Sequence, residues 1–172
     1  MSEQAQVPVD ALPLVDRHGF RTTVQPEQVW AALAPTLMAA FGKRRSRTFA
    51  KALGCRERRL SRPFLMENGD KLVGFRVLAS RPPEELVLEG EHHFASYALI
   101  FRIGSRDGIT TVTIETRATF PGAKGYVYRE LVVATGLHAQ IVRRLLKGLR
   151  RRAEWNQRPS GRRRTGAIPA GR

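Results

Sequence analysis

The stretch KGYVYRELVVATGLHAQIVRRLLKGLRRR, Lys124 to Arg152, decides how the rest of the chain is read. Val127, Leu131, Ala134, Ile141, Leu145 and Leu149 form one apolar row, and Tyr128, Val132, Val142 and Leu146 a second beside it. Steps of three and four predict a single helix about seven turns long with one broad apolar face. Arg143, Arg144, Lys147, Arg150, Arg151 and Arg152 fall on the opposite face and in the last turns, where cations suit the helix dipole. A helix with so wide an apolar face must lie against something large and flat.

The sequence before it supplies that surface. Arg17 to Val24 alternates, with His18, Phe20, Thr22 and Val24 on one side, which predicts a half-buried strand. Pro26-Glu27 then opens a helix whose apolar face holds Val29, Trp30 and Leu33, and Pro35 is expected to interrupt it. Leu37 to Phe41 and Ser46 to Leu53 read as two further short helical pieces. From Leu60 the pattern is β. Asn68-Gly69 predicts a tight hairpin between Phe64–Glu67 and Lys71–Ala79. Pro82-Pro83 turns the chain into Glu85–Phe94, and Ser96–Ile103 pairs with Thr110–Phe120 across Gly104–Gly108. The fold class is therefore α+β: a curved antiparallel sheet of about six strands wrapped around a long C-terminal helix, with short helices after strand 1.

The 172 residues divide into a flexible leader (1–12), one folded domain (13–154) and a disordered basic tail (155–172) rich in Gly, Pro, Ser and Arg. The longest mostly apolar run, Val29 to Phe41, is too short to span a bilayer, and Met1 to Leu12 lacks the features of a signal peptide, so a cytoplasmic protein is expected. The single cysteine, Cys55, excludes an internal disulfide and a cysteine-based metal site. Of the net charge of +15, ten units come from the last thirty residues, with eleven Lys or Arg against Glu154 alone.

The element order, with Pro26-Glu27-Gln28-Val29-Trp30 after the first strand, resembles the START/SRPBCC (Bet v 1-like, helix-grip) superfamily. Gly69-Asp70 leading into Gly74-Phe75-Arg76-Val77, the strand Leu86–Glu91, and Phe120-Pro121-Gly122 before the helix are similar to bacterial branches labelled polyketide cyclase/dehydrase or lipid-transport-like. The resemblance covers roughly residues 14–154 and specifies a fold far better than an activity. It implies a cavity between sheet and helix that binds, transports or sequesters a small hydrophobic or amphipathic ligand. Its walls would be His18, Phe20, Phe75, Val77, His92, Tyr97, Leu99, Phe101, Ile114, Thr116, Ala118, Leu131, Ala134 and His138. Strand alternation is compatible with this, since it turns Val112, Ile114, Thr116, Ala118 and Phe120 inward, and also Val73, Phe75, Val77 and Ala79. The same side chains would equally fill a solid core.

The resemblance also implies an alternative, ring closure or dehydration of a poly-β-keto chain. There His92, Tyr97 or His138 would move a proton at an enolisable carbon. A third reading, in a different class, takes the Arg-rich end as a module in weak contact with anionic membrane or nucleic acid. Monomer and homodimer are both compatible with the sequence. No metal and no cofactor is expected: His92 and His93 are adjacent on a strand, point to opposite faces and cannot share one ion. Glu89 and Glu91 share a face with Val87 and His93 and read as solvated partners for Arg76 and Arg117, not as a catalytic pair. There is no nucleophile elbow, Ser-His-Asp order or phosphate-cradling glycine loop.

Overall fold

A computed structural model describes residues 9–42, 44–130 and 136–157. After a short 3₁₀ turn at Val9–Ala11 come β1 (Leu14–Thr22), α1 (Pro26–Phe41), α2 (Arg44–Ala52), β2 (Lys71–Leu72) and β3 (Phe75–Arg81). β4 (Glu85–His92), β5 (Ala95–Arg106), β6 (Ile109–Thr119), α3 (Gly122–Arg129) and α4 (Leu137–Asn156) complete the chain order. The strands form one antiparallel sheet in the order β1-β6-β5-β4-β3-β2, curved around α4. No helix among the described residues is long and apolar enough to cross a membrane.

Register explains why the sheet has an apolar inner face. Phe20 opposes Val112, Phe101 opposes Ile114, and Leu88 opposes both Leu99 and Val77. Directly opposed residues in an antiparallel pair share a face, so one register error would turn these side chains to solvent. α1 closes this face with Val29, Ala32, Leu33 and Leu37, and α4 closes it with Val142, Leu146, Leu149 and Ala153. Leu33, Leu37 and Leu149 are completely buried, each contributing about 1.5–3 kcal/mol of transfer free energy.

The outer face is held by charge. Glu115 is buried among Arg17 at 2.6 Å, Arg102 at 2.9 Å and Arg117 at 3.6 Å. Glu85 pairs with Arg102 and Arg81, Glu89 with Arg76, and Glu91 with Arg56. Burial alone would push the Glu115 carboxyl up, but Arg102 and Arg17 together outweigh it and hold it below the usual carboxylate range. Glu89 thus takes Arg76, as expected, whereas Glu91 takes Arg56 and the expected Arg117 turns to Glu115 instead.

Several boundaries differ from the sequence reading. Among the described residues the predicted seven-turn helix is not continuous: α3 ends at Arg129, α4 begins at Leu137, and Gly136 before it has φ 70°, a left-handed conformation that an α-helix cannot pass through. Pro35 does not interrupt α1, which runs sixteen residues. The buried stripe Val29, Ala32, Leu33, Thr36 and Leu37 holds it together, and the Thr36 hydroxyl donates to the Ala32 carbonyl at 2.7 Å. Asn68-Gly69 does turn the chain, but Phe64–Glu67 is not a strand; the tight hairpin is β2–β3, across Val73-Gly74 with Gly74 at φ 85°. Ala79 faces outward, because the register shifts between Val77 and Ala79 and the bulge reverses the alternation. β5 extends to Arg106, so its turn into β6 contracts to Asp107-Gly108, both at positive φ as a two-residue hairpin favours. Leu12, at the end of the stretch read as leader, is buried and its carbonyl accepts from Arg117.

Candidate functional site

A cavity of about 400 Å³ lies under one end of the sheet, between it, the first turns of α4, the end of α1 and α2. This is within the size range of small-molecule pockets. Each wall follows from a local pattern. β5 contributes Tyr97 and Leu99, and β6 contributes Thr116 and Ala118, alternate residues that share the inner face. α2 presents Ser46 and Ala50 one turn apart, and Leu53 follows just past its end. α4 presents His138, Ile141, Val142 and Leu145 in the same way.

Of the residues expected to line a cavity, Phe75, His92, Tyr97, Leu99, Thr116, Ala118 and His138 do so. Val77, Phe101 and Ile114 do not. They belong to the solid core, where α1 fills the other end of the sheet with Leu33 and Leu37. Phe20 packs against that core, and His18 is turned to Asp16. Leu131 and Ala134 lie outside the described residues. Sequence reading missed Cys55, Phe41, Val15 and the α2 contributions, which come from elements whose pairing with the sheet no local pattern reveals.

Besides Ser46, two groups of polar side chains break the apolar lining. On the α4 side, His138 Nε2 and Thr116 Oγ1 share a hydrogen bond of 2.9 Å. Behind them sits Asp16, Oδ1 3.7 Å from His138 Nε2 and Oδ2 3.3 Å from His18 Nε2. A register shift between Leu14 and Asp16 brings Asp16 opposite Thr116. Asp16 Oδ1 and His18 Nε2 are buried without a hydrogen-bond partner among the described residues. Burial pushes the His138 imidazolium down, against the upward pull of Asp16, and the ring is neutral near pH 7.

On the other side stand Tyr97, His92 and Cys55. The Tyr97 hydroxyl donates to the Gly74 carbonyl at 2.7 Å, anchoring its ring to the β2–β3 turn. His92 Nδ1 accepts from the Phe94 amide at 3.1 Å, and its ring lies 5.3 Å from that of Tyr97. Burial lowers the His92 pKa, with His93 adding to the effect. Burial pushes the Cys55 thiol up, against weaker pulls from Tyr97 and Arg58, so it is not an activated thiolate. Among the described residues, no Lys, Arg, Asp or Glu lines the cavity, and no three His, Cys, Asp or Glu side chains gather into a metal site.

The arrangement can enclose an apolar body, hold an oxygen function at His138 and Thr116, and accept a proton there. No protein-family model and no curated protein matches the chain. Among solved structures it is similar to a conserved protein from Geobacillus kaustophilus, with a TM-score of 0.50 and 14% identity over 81% of this chain and 95% of that one. CalU16 from Micromonospora echinospora (TM-score 0.39, 15% identity, 81% and 83% covered) and Ara h 8.0201 (TM-score 0.42, 10% identity, 82% and 100% covered) also align. At these identities the likeness is one of fold and carries no activity across. The antiparallel sheet in the order β1-β6-β5-β4-β3-β2, curved around the C-terminal helix, is a Bet v 1-like helix-grip fold.

Proposed function

We propose that the chain binds a small hydrophobic or amphipathic ligand in the cavity between the sheet and α4, with an oxygen function of the ligand at His138 and Thr116. The observation that carries this reading is the largely apolar cavity of about 400 Å³ with the His138–Thr116 pair in its wall. A ligand burying the equivalent of about twelve methylenes gains about 10 kcal/mol. Association costs at least about 4 kcal/mol, and the remainder corresponds to a Kd of tens of micromolar. N-phenyl-1-naphthylamine, an uncharged fluorescent probe, should therefore bind saturably and be displaced by long-chain alcohols and aromatic ketones. Thr116→Val should weaken an alcohol competitor about fivefold, the worth of one net hydrogen bond, and leave a hydrocarbon competitor unchanged. Absence of saturable probe binding would refute the reading.

A cyclase- or dehydratase-like activity in the same cavity is the second reading, favoured by Asp16. A neutral His138 that takes a proton from an enolisable carbon becomes an imidazolium, and the unpartnered Asp16 Oδ1 at 3.7 Å is placed to stabilise it. His138→Gln should then lower turnover of an aromatic poly-β-ketone by about 10²–10⁴-fold with little change in its binding. Equal turnover in both proteins would dispose of this second reading and leave the first standing.

A further inference from the structure

The outward side of α4 is a strip of positive charge. Val142, Leu145, Leu149 and Ala153 face the core, which turns Arg144, Lys147 and Arg151 to the opposite side of the helix. Arg143, Arg150 and Arg152 are exposed beside them. Among the described residues, one acid answers these six cations: Glu154, bonded to Arg150 at 2.7 Å. A solvated helix face balances its charges far more evenly than this.

The strip is flanked by exposed apolar side chains. Ile141 and Trp155, two heptads apart, lie along one flank of the cationic face and are 46% and 68% exposed. α3 carries Tyr126 and Val127, 61% and 66% exposed, close in sequence to the exposed Lys124. α3 sits at the rim of the cavity: a Cβ at Gly125 would lie 2.7 Å from the carbonyl carbon of Phe120, a cavity residue. Ile141 is at once exposed and part of the cavity wall. Cations beside exposed aliphatic and aromatic groups are what a helix resting in a lipid headgroup region requires. Nucleic-acid phosphates would use the cations but gain nothing from Val127 or Ile141.

We propose that α3 and the outward face of α4 form a docking surface for an anionic lipid bilayer, with the cavity mouth at Ile141 turned toward it. The surface stands whether or not the cavity holds a ligand. Each cation near an anionic membrane strengthens partitioning about fivefold.

The test is sedimentation of the full chain with unilamellar vesicles of phosphatidylcholine alone or with 30% phosphatidylglycerol, alongside titration of a fluorescent DNA duplex. The chain should bind the phosphatidylglycerol vesicles, leave the neutral ones unbound, and weaken steeply between 0.1 and 0.5 M NaCl. Arg144→Gln with Lys147→Gln and Arg151→Gln should cost about 100-fold at unchanged thermal stability. Tyr126→Ser with Val127→Ser should cost about tenfold for vesicles and nothing for the duplex. Equal binding to both vesicle types, an unchanged affinity in the triple variant, or binding to the duplex with none to vesicles would each overturn the proposal.

Discussion

Gly90→Ala should be among the most damaging single-methyl additions in this protein. Gly90 lies on the inner face of β4, directly opposite Tyr97 on β5. A Cβ built there would fall 2.3 Å from the Gly74 carbonyl oxygen and 2.4 Å from Tyr97 Cε2, well inside van der Waals contact. The oxygen belongs to the backbone of the β2–β3 turn, which would have to shift, while the ring is the part that yields more readily. If it swings away, its 2.7 Å hydrogen bond to Gly74 is lost. Overpacking costs about 1–3 kcal/mol, and the lost bond adds about 1 kcal/mol. A total of about 3 kcal/mol would lower Tm by roughly 6–12 °C in a domain of this size. Urea unfolding of wild type, Gly90→Ala, Tyr97→Ala and the double variant would measure it, with the slope of the transition held to be unchanged. In the Tyr97→Ala background the ring clash is gone, and Gly90→Ala should cost at least about 1 kcal/mol less. A cost below about 0.5 kcal/mol for Gly90→Ala, or the same cost with and without the ring, would refute the account of why a glycine occupies this position.

Two further outcomes follow from the titrating and nucleophilic groups. Stability should fall as pH drops below about 6.5, because His138 and His92 have folded pKa values below their unfolded ones, so the unfolded chain takes up more protons. A second fall should begin below about pH 4.3, where Glu115 in the unfolded chain protonates first. His138→Gln should flatten the upper limb. Glu115→Gln should flatten the lower one while costing about 2 kcal/mol near pH 7, less than a fully buried pair because Arg17 and Arg102 reach solvent. Denaturation curves at half-unit pH steps check both. Cys55, buried with a raised pKa, should react with a maleimide far more slowly in the native protein than in urea, and more slowly still with the cavity filled by N-phenyl-1-naphthylamine. Rapid native labelling indifferent to the probe would place the thiol outside the cavity.

The fold was legible because it rests on alternation and helical spacing, both local properties. The inner rows of β5 and β6 could be named from parity alone. Parity says which face a side chain takes, but not what waits opposite. Phe101 and Ile114 share a face with Leu99 and Thr116, yet the former meet Leu33 and Leu37 of α1 and the latter meet a void. Asp16 was invisible because the bulge beside it breaks the alternation that would have revealed it. Pro35 misled because a propensity rule lost to a buried stripe of five residues. Cys55 and Ser46 reach the cavity through long-range packing that leaves no mark in their neighbours.

Placing β1 beside β6 and α1 against α4 has a consequence for biosynthesis. His18 meets Ile114, and Leu33 shares a core with Leu149, across about a hundred residues of chain. At about 5–20 residues per second, β1 and α1 wait on the order of ten seconds after leaving the ribosome for their partners. During that interval the greasy side of α1 is open to any chaperone or nascent neighbour, and no compartment exists to receive a guest. The vessel is finished only when the final helix drops into place.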